Sequence, residues 1–464
     1  MGGLVRAFPV GLHAIVEDGD PPPVRHGGAV ADGGRGPGGG SAGRRVRPVP
    51  LGTAYWRLWT SSGLSNLADG ALKVALPLVA VGFTRSPVLV AGVTLALTLP
   101  WLLLALPVGA LADRLDRRHL MLGANAARAL LLAGLVAALA LDLGSIWVLY
   151  VVAFGLGAAE TVYDTSAQSI LPAVAPRAEL TRANGRLYAV ELTANQFVGP
   201  PLGGVLVAAG ATVAFATPMG LWLAALGALL LVPGRFRVAR EGGTSVRADV
   251  AEGLRFLGRH RLLRTLAVMV GVSNFASSAV FAVFVLHAVG PGSAMGLSEQ
   301  GYGLLLTTLA VGSLFGSFAA QGFVRVLGRA RSLTLTVVGS ALLLGVPAVT
   351  ADARLVGAAF LVGGALIVVW NVVTVSLRQR ITPDRLLGRV NSGYRLLAWG
   401  TMPLGAAAGG LLADAVGLPA VFVSMALLNL ALVAGMRVIT DAQMDAAERI
   451  AEAELPRSTG DPAP

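Results

Sequence analysis

Apolar residues run along this chain in long blocks separated by short polar stretches. The blocks predict helices at 55–81, 87–112, 119–141, 145–171, 187–208, 211–232, 263–288, 301–324, 332–351, 355–377, 393–413 and 418–437. Each approaches or exceeds the roughly 20 residues that carry a helix across a ~30 Å hydrocarbon layer. The blocks are apolar on all sides and lack the strict alternation of barrel strands. The pattern predicts an all-α membrane protein with 12 transmembrane helices. Two connections, after 208 and after 413, are short enough to make their helices tight hairpins.

Composition agrees. Hydrophobic residues make up 55% of the chain, charged residues only 13%, and the mean hydropathy is +0.71. A soluble fold of this size needs about twice that share of charge to cover its surface.

The placement of the 36 lysines and arginines then sets a topology. With the N-terminus on the cytoplasmic side, only Arg85 and Arg354 fall outside; Lys73 and Arg128 fall inside spans, and the other 32, including Arg57, Arg264, Arg395 and Arg437 at span ends, count to the cytoplasmic side. Shifting the topology by one helix destroys this asymmetry, so the positive-inside rule predicts two cytoplasmic termini and a multi-pass protein of the plasma (inner) membrane. The net charge of +11 is then mostly topogenic, and its dispersal over many loops argues against nucleic acid as a partner.

With no cysteine, disulfides, thiolate metal sites and a Cys nucleophile are excluded, and the five scattered histidines make no metal constellation. No Walker loop is present, so neither ATP hydrolysis nor any other cofactor chemistry is expected, and nothing marks an enzyme.

Residues 1–50 differ in kind. Rich in Gly, Pro and Arg, they are expected to form a disordered cytoplasmic tail. The segment 439–464 is expected to be an acidic, amphipathic cytoplasmic tail.

The chain also repeats. GLSNLADGALKV at 63–74 aligns with GVSNFASSAVFA at 271–282, with Gly63/Gly271, Ser65/Ser273, Asn66/Asn274 and Ala68/Ala276 identical. Almost the same spacing pairs the Leu-x-x-x-Asn of 180–184 with 387–391, and GPPLGG at 199–204 with GAAAGG at 405–410. Two six-helix halves in parallel order follow, 51–232 and 263–438, joined by a basic cytoplasmic linker at 233–262. Transporters built from such halves bind substrate near the midplane, at the interface between halves.

Three segments carry a resemblance. The loop after the second helix reads Gly109-Ala-Leu-Ala-Asp113-Arg114-Leu-Asp116-Arg117-Arg118. Helix five reads Asn195-Gln196-Phe-Val-Gly199-Pro200-Pro201-Leu-Gly203-Gly204. Helix four ends in Leu171-Pro172 and leads to Asn184-Gly185. With these, the chain after residue 50 resembles the 12-helix major facilitator superfamily, and within it the drug and siderophore efflux branch that includes enterobactin-exporter-like and macrolide-efflux-like proteins. The resemblance implies a gating loop of Gly109, Asp113, Arg114, Arg117 and Arg118, in which Arg117 pairs with an acid such as Asp164 on a neighbouring helix end. It implies a helix-packing motif of Gly199, Pro200, Gly203 and Gly204, associated with export. Asp116 stands where the family has glycine. Val151 stands where many proton antiporters carry arginine.

Ionisable residues within spans default to function. Asp69 and Lys73 lie four apart on one helix face, while their repeat counterparts, Ser277 and Phe281, are neutral. Asp69, Lys73, Glu160 and Glu191 are the candidates for proton or substrate coupling, with Asp164 nearer the gate. Asn66, Asn195, Gln196, Asn274, Trp370 and Asn371 are the candidate substrate cavity. His287 is expected near the outer surface and Arg395 at an interface. An acidic first half facing an apolar second half with Trp370 and Trp399 suits lipophilic or cationic molecules.

The sequence therefore predicts a secondary transporter: a proton-coupled exporter of small amphipathic molecules (drugs, macrolide-like compounds or siderophores) working by alternating access, in the lipid bilayer as a monomer. A facilitator, importer or lysophospholipid flippase on the same fold stays open, as does a non-transporting sensor or scaffold.

Overall fold

The structure is a computed structural model and describes residues 50–112, 115–176, 179–234, 236 and 246–453. The N-terminal tail, apart from Pro50, lies outside the described residues, as do Asp113 and Arg114 of the predicted gating loop.

Apolar composition and length make the rods. The first half contains α1 (Thr53–Phe83), α2 (Pro87–Ala112), α3 (Arg117–Ala140) and α4 (Ile146–Val174). A composite fifth rod follows: α5 (Leu180–Leu192), a π-helical turn (Thr193–Val198) and α6 (Gly199–Ala208). The half ends in α7 (Ala211–Leu230), and α8 (Val246–Arg259) lies in the linker. The second half contains α9 (Arg261–Ala288), α10 (Glu299–Leu327), α11 (Arg329–Val349) and α12 (Ala353–Ile381). It closes with α13 (Asp384–Gly400) continued by α14 (Met402–Val416), then α15 (Leu418–Ala431) extended by a 3₁₀ turn (Leu432–Arg437), and a short α16 (Asp441–Ala453).

Among the described residues, eleven rods are long and apolar enough to cross a membrane. The twelfth is the fifth rod. It starts at Leu180, earlier than the apolar pattern predicts, because α5 (LTRANGRLYAVEL) is polar for two turns. Its interruption has a local cause. Pro200 and Pro201 carry no amide hydrogen, so carbonyls one turn earlier lose their partners, and the wider π turn over Thr193–Val198 accommodates this. The equivalent rod of the second half breaks at Thr401, just before Pro403.

Glycines set the packing, and they do so twice. A Cβ on Gly203 would strike the carbonyl of Ala71, and one on Gly409 the carbonyl of Ala279, so α6 lies backbone to backbone on α1 as α14 does on α9. The next glycine of each pair faces the other half: Gly204 abuts Glu299 and Gln300 on α10, and Gly410 abuts Pro87, Val88 and Ala91 on α2. The halves thus meet through pseudo-symmetric small-residue seams, as membrane helices do when packing replaces the hydrophobic effect.

Both seams sit at the face that carries the α1–α2 and α9–α10 connections, opposite the described chain ends. On that face Arg85 crosses between halves, donating to the carbonyls of Val289 (3.0 Å) and Pro291 (3.4 Å). The buried core there is shared, with Val74, Leu78, Val90 and Ala91 of the first half packed among Val283, Phe284, Phe360 and Phe422 of the second.

On the opposite face each half is braced separately. Asp116 caps α3, accepting from the amides of Arg118 (2.9 Å) and His119 (3.3 Å), and its other oxygen holds the Phe236 amide at 2.7 Å. Aspartate at this turn therefore anchors the start of the linker, a task glycine could not perform. In the second half, α8 packs on α13 with Glu252 paired to Arg389. Arg329 holds Asp445 and Glu448 of α16, and Arg380 also reaches Glu448 at 3.6 Å.

Replacing Gly203 or Gly409 with alanine is expected to lower stability by about 1–3 kcal/mol through overpacking. Gly227→Ala, where nothing lies within 4 Å, should be neutral or slightly stabilising. Thermal unfolding in detergent, followed by tryptophan fluorescence, reads the difference.

Candidate functional site

Two polar sites lie inside the helix bundle, one in each half. The first is built around a residue that no motif singled out. Arg128, on α3, is completely buried. Its Nη1 lies 3.6 Å from the Asp69 carboxylate and 3.1 Å from the Ser65 hydroxyl. Its guanidinium carbon sits over the rings of Tyr163 (5.3 Å) and Trp222 (5.2 Å), within cation–π distance of both. Nε and Nη2 have no hydrogen-bond partner among the described residues. Asp69 is also in the field of Glu160 and Lys73. Asp164 lies in the field of Glu160, Arg128, Asp69 and Glu191.

Asp69 and Glu160, expected in coupling, and Asp164, expected at the gate, are thus gathered near one arginine. Lys73 is not the close partner of Asp69. Its amine points instead to Asn195 Oδ1 at 2.8 Å. Asn195 donates to Asn66 (3.3 Å), Asn66 donates to the Ser62 carbonyl (3.0 Å), and the Ser62 hydroxyl donates to Glu191 at 2.6 Å. This chain ties α1 to the π turn of the fifth rod, where a break exposes side chains that a straight helix would stack. Gln196, from the same turn, is exposed.

The second site is a cavity of about 480 Å³ wholly within the second half. Asn274, Trp370 and Asn371 line it as expected, whereas Asn66, Asn195 and Gln196 do not. The expectation of an apolar second half is not met. Ser273, Ser277, Ser340, Thr336 and Asn429 line the cavity too, hydroxyls and amides that hydropathy averages hide. Arg395 is not an interfacial anchor. It lines the cavity 4.5 Å from the Trp399 ring, with Arg378 stacked on Tyr394 at 4.0 Å nearby.

The two sites occupy equivalent places. The caps of α4 and α12 (Ser145/Asp352, Ala175/Thr382) and of α7 and α15 (Gly210/Gly417) share one spacing. That spacing puts Trp370 opposite Tyr163, Asn371 opposite Asp164 and Asn429 opposite Trp222. The repeat along α1 and α9 puts Ser277 opposite Asp69 and Ser273 opposite Ser65. Arg128 falls opposite Val337 by the C-terminal ends of α3 and α11, or opposite Ser340 by their N-terminal ends. Every one of these second-half residues lines the cavity. Smaller residues line this place in the second half, Asn429 where Trp222 stands and Val337 or Ser340 where Arg128 stands in the first.

The remaining candidates are structural in their observed contacts. Arg118 donates to the carbonyls of Leu229 (3.1 Å) and Leu230 (2.7 Å), closing the end of α7 where a cation is favoured. Gly109 lies near the end of α2. The Arg117 amide reaches the Phe236 carbonyl at 3.4 Å. Gly199 contacts Gly70, and Pro200 contacts Gly303 of α10. Val151 is 69% exposed on the outer surface of the bundle. His287 lies in the last turn of α9, beside the α9–α10 connection, with its ring buried against Phe422, centroids 5.0 Å apart.

Comparison with known proteins agrees with this architecture. Residues 49–460 match the family described as transmembrane secretion effector. The multidrug efflux pump Tap of Mycolicibacterium fortuitum is 29% identical over 388 residues, 78% of this chain and 90% of that protein. The enterobactin exporter EntS of Salmonella choleraesuis is 25% identical over 346 residues, 73% and 80% of the two chains. The crystal structure of the nucleoside transporter NupG superposes with a TM-score of 0.67 at 12% identity, covering 83% of this chain and 98% of that one, a likeness of fold.

Arg128→Met should destabilise the protein by about 3–5 kcal/mol, the usual consequence of stranding one member of a buried ion pair. Arg128→Met combined with Asp69→Asn should recover most of that loss. Unfolding midpoints of the two single variants and the double in detergent test this; additive losses would rule out the pairing.

Proposed function

The chain belongs to the transmembrane secretion effector family of the major facilitator superfamily, and on that premise we propose that it is a proton-coupled exporter of small amphipathic molecules. It is a multi-pass membrane transporter, not an enzyme. Export is the activity carried by the names of its relatives, one a multidrug efflux pump and one an enterobactin exporter.

The observation that carries proton coupling is the Arg128–Asp69 pair in a nest that also holds Glu160 and Asp164. Protonating Asp69 removes the charge that faces Arg128. The guanidinium, beside Tyr163 and Trp222, then keeps its bond to Ser65 and is drawn toward another carboxylate of the nest. A proton thereby changes the packing between α1, α3 and α4, a bistable element of the kind that couples ion binding to movement. No nucleotide motif is present, so the proton gradient is the natural energy source.

Alternating access is supported by where the halves touch. The seams at Gly204 and Gly410 and the Arg85 contacts lie on one face, so rocking about them would open that face and close the other. Segments 51–232 and 263–438 move as the two units in this reading. The linker 233–262 is fixed at both ends, by Phe236 on Asp116 and by α8 on α13. Both termini are cytoplasmic, which makes the sealed face the outer one. A monomer suffices, since both sites are complete within one chain.

The test uses inside-out vesicles carrying the protein, a panel of lipophilic cations, macrolides and siderophores, and an imposed pH gradient. Gradient-dependent uptake is expected for at least one class, and Asp69→Asn should abolish it. Uptake that proceeds equally with and without the gradient would replace export by facilitation, and unchanged coupling in Asp69→Asn would remove the proton role of that residue.

A further inference from the structure

Exposed arginines crowd the elbow where the linker helix α8 gives way to α9. One face of α8 is committed to the second half: a Cβ on Gly253 would strike the carbonyl of Arg389, and Leu257 shares a core with Leu386 and Val390 of α13. The opposite face carries Arg255 and Arg259, both exposed. Two residues later α9 starts at Arg261, and Arg261, Arg264 and Val268 follow at the spacing of one helix face, all exposed. The Arg264 guanidinium donates to the Gly258 carbonyl at 3.1 Å, which fastens it beside the arginines of α8. A Cβ on Gly258 would meet nothing within 4 Å, so open space adjoins these cations. Arg437, also exposed, ends the 3₁₀ turn whose Gly435 packs on Thr265 and Met269 of the same end of α9.

Other arginines on this side of the molecule are engaged within the chain. Arg57 and Arg118 close the end of α7, Arg389 holds Glu252, and Arg329 and Arg380 hold acids of α16. Arg255, Arg259 and Arg261 have no such duty: among the described residues no acid pairs with them. The sequence from Gly253 to Ser298 contains no aspartate or glutamate. On α16, Asp441 is spent on the Ala330 amide and Asp445 on Arg329. The position of the cluster says what answers its charge. Arg261 and Arg264 open a helix long and apolar enough to cross the hydrocarbon, and Val268, one turn deeper on the same face, is 56% exposed. Arginines directly above a lipid-facing valine stand at the level of phospholipid phosphates, where a guanidinium fork suits a phosphodiester. We infer that this elbow binds the head group of an anionic phospholipid, its phosphodiester among Arg255, Arg259 and Arg261 beside Gly258, and an acyl chain along Val268. The site does not depend on what the protein transports or in which direction.

The chain has no cysteine, so one introduced thiol can carry a fluorophore at a chosen place. Val268→Cys labelled with acrylodan reports from the edge of the site. Leu335→Cys, on an exposed position four residues after Arg331 of α11, is the control. Each labelled protein is placed in phosphatidylcholine nanodiscs with a minority of phosphatidylglycerol whose acyl chains are brominated, or with brominated phosphatidylcholine at the same fraction. Bromine quenches the label on contact, so quenching reads the local lipid fraction. At position 268 the brominated phosphatidylglycerol should quench as if enriched about fivefold over the bulk, while brominated phosphatidylcholine follows the bulk. At position 335 both should follow the bulk. Arg255→Gln, Arg259→Gln and Arg261→Gln together should return quenching at 268 to the bulk level. Arg325→Gln with Arg331→Gln, which removes two other exposed arginines, should change nothing there. The triple lysine variant at 255, 259 and 261 keeps the charge and should keep most of the enrichment.

No enrichment at position 268, or the same enrichment at position 335, overturns the inference and leaves these arginines a topogenic role alone. So does enrichment that survives the triple glutamine variant, or that falls equally in the Arg325/Arg331 control, since either result makes it a property of the whole surface. Inorganic phosphate separates the two sources of the ligand chemistry. If it abolishes the enrichment where sodium chloride of equal ionic strength does not, the elbow takes a soluble phosphate and the lipid assignment falls. Should the glutamine variant fail to give a monodisperse protein, the lysine variant decides: loss of enrichment with all three charges kept sinks the proposal.

Discussion

Everything else in this molecule is arranged around close backbone contact at four glycines. Gly203 on Ala71 and Gly409 on Ala279 bring α6 and α14 against the first helix of each half, and Gly204 and Gly410 carry the contact across to the other half. In a bilayer, helices gain nothing by hiding apolar surface from lipid, so shape complementarity must supply the attraction. Small residues make it possible, and they also make it reversible, because a smooth backbone seam can shear or tilt without unthreading interlocked side chains. The prolines beside these glycines break the rods, and the break in the fifth rod presents Asn195 to Lys73 and Asn66.

Much of this was legible in the sequence, and for a physical reason: membrane spans and duplicated halves leave signals averaged over many residues. The fifth rod was the exception. Its first two turns hold Arg182, Asn184 and Arg186, so hydropathy starts the helix late although the backbone starts it at Leu180. The glycine pattern of the packing motif was legible as well, down to its weaker second copy. What it could not reveal was that one glycine of each set works within a half and the next works between halves, since that depends on which face of the rod each occupies.

The candidate sites were less legible. Acids in spans stand out, and Asp69, Glu160 and Asp164 do gather. Their counter-charge was visible as an ionisable residue inside the third span, but Arg128 had no motif around it, while Lys73 offered a simpler partner four residues from Asp69. Helical spacing says that two side chains share a face. It does not say that the longer one bends to an asparagine on another helix. The second-half cavity was missed for a different reason. Serine, threonine and asparagine barely move a hydropathy average, and Arg378 and Arg395 lie near a span end where basic residues usually serve topology.

The deepest regularity emerges only when the two halves are laid over one another. Asp69, Arg128, Tyr163, Asp164 and Trp222 form a filled, charged nest; their counterparts Ser277, Val337 or Ser340, Trp370, Asn371 and Asn429 form the wall of a cavity. The same backbone frame thus tolerates either solution, so neither set of side chains is required by the fold. Charge in the first nest is costly to bury, and a fold that does not need it keeps it only for what it does. Volume in the second is costly as well, since an unfilled core forfeits packing. The two halves bear these two costs differently, one holding buried ionisable groups and the other holding volume. The first nest is built on α1 and the cavity on α9, and Val74 and Leu78 of α1 pack with Val283 and Phe284 of α9 in one core, which gives a physical route between the two sites.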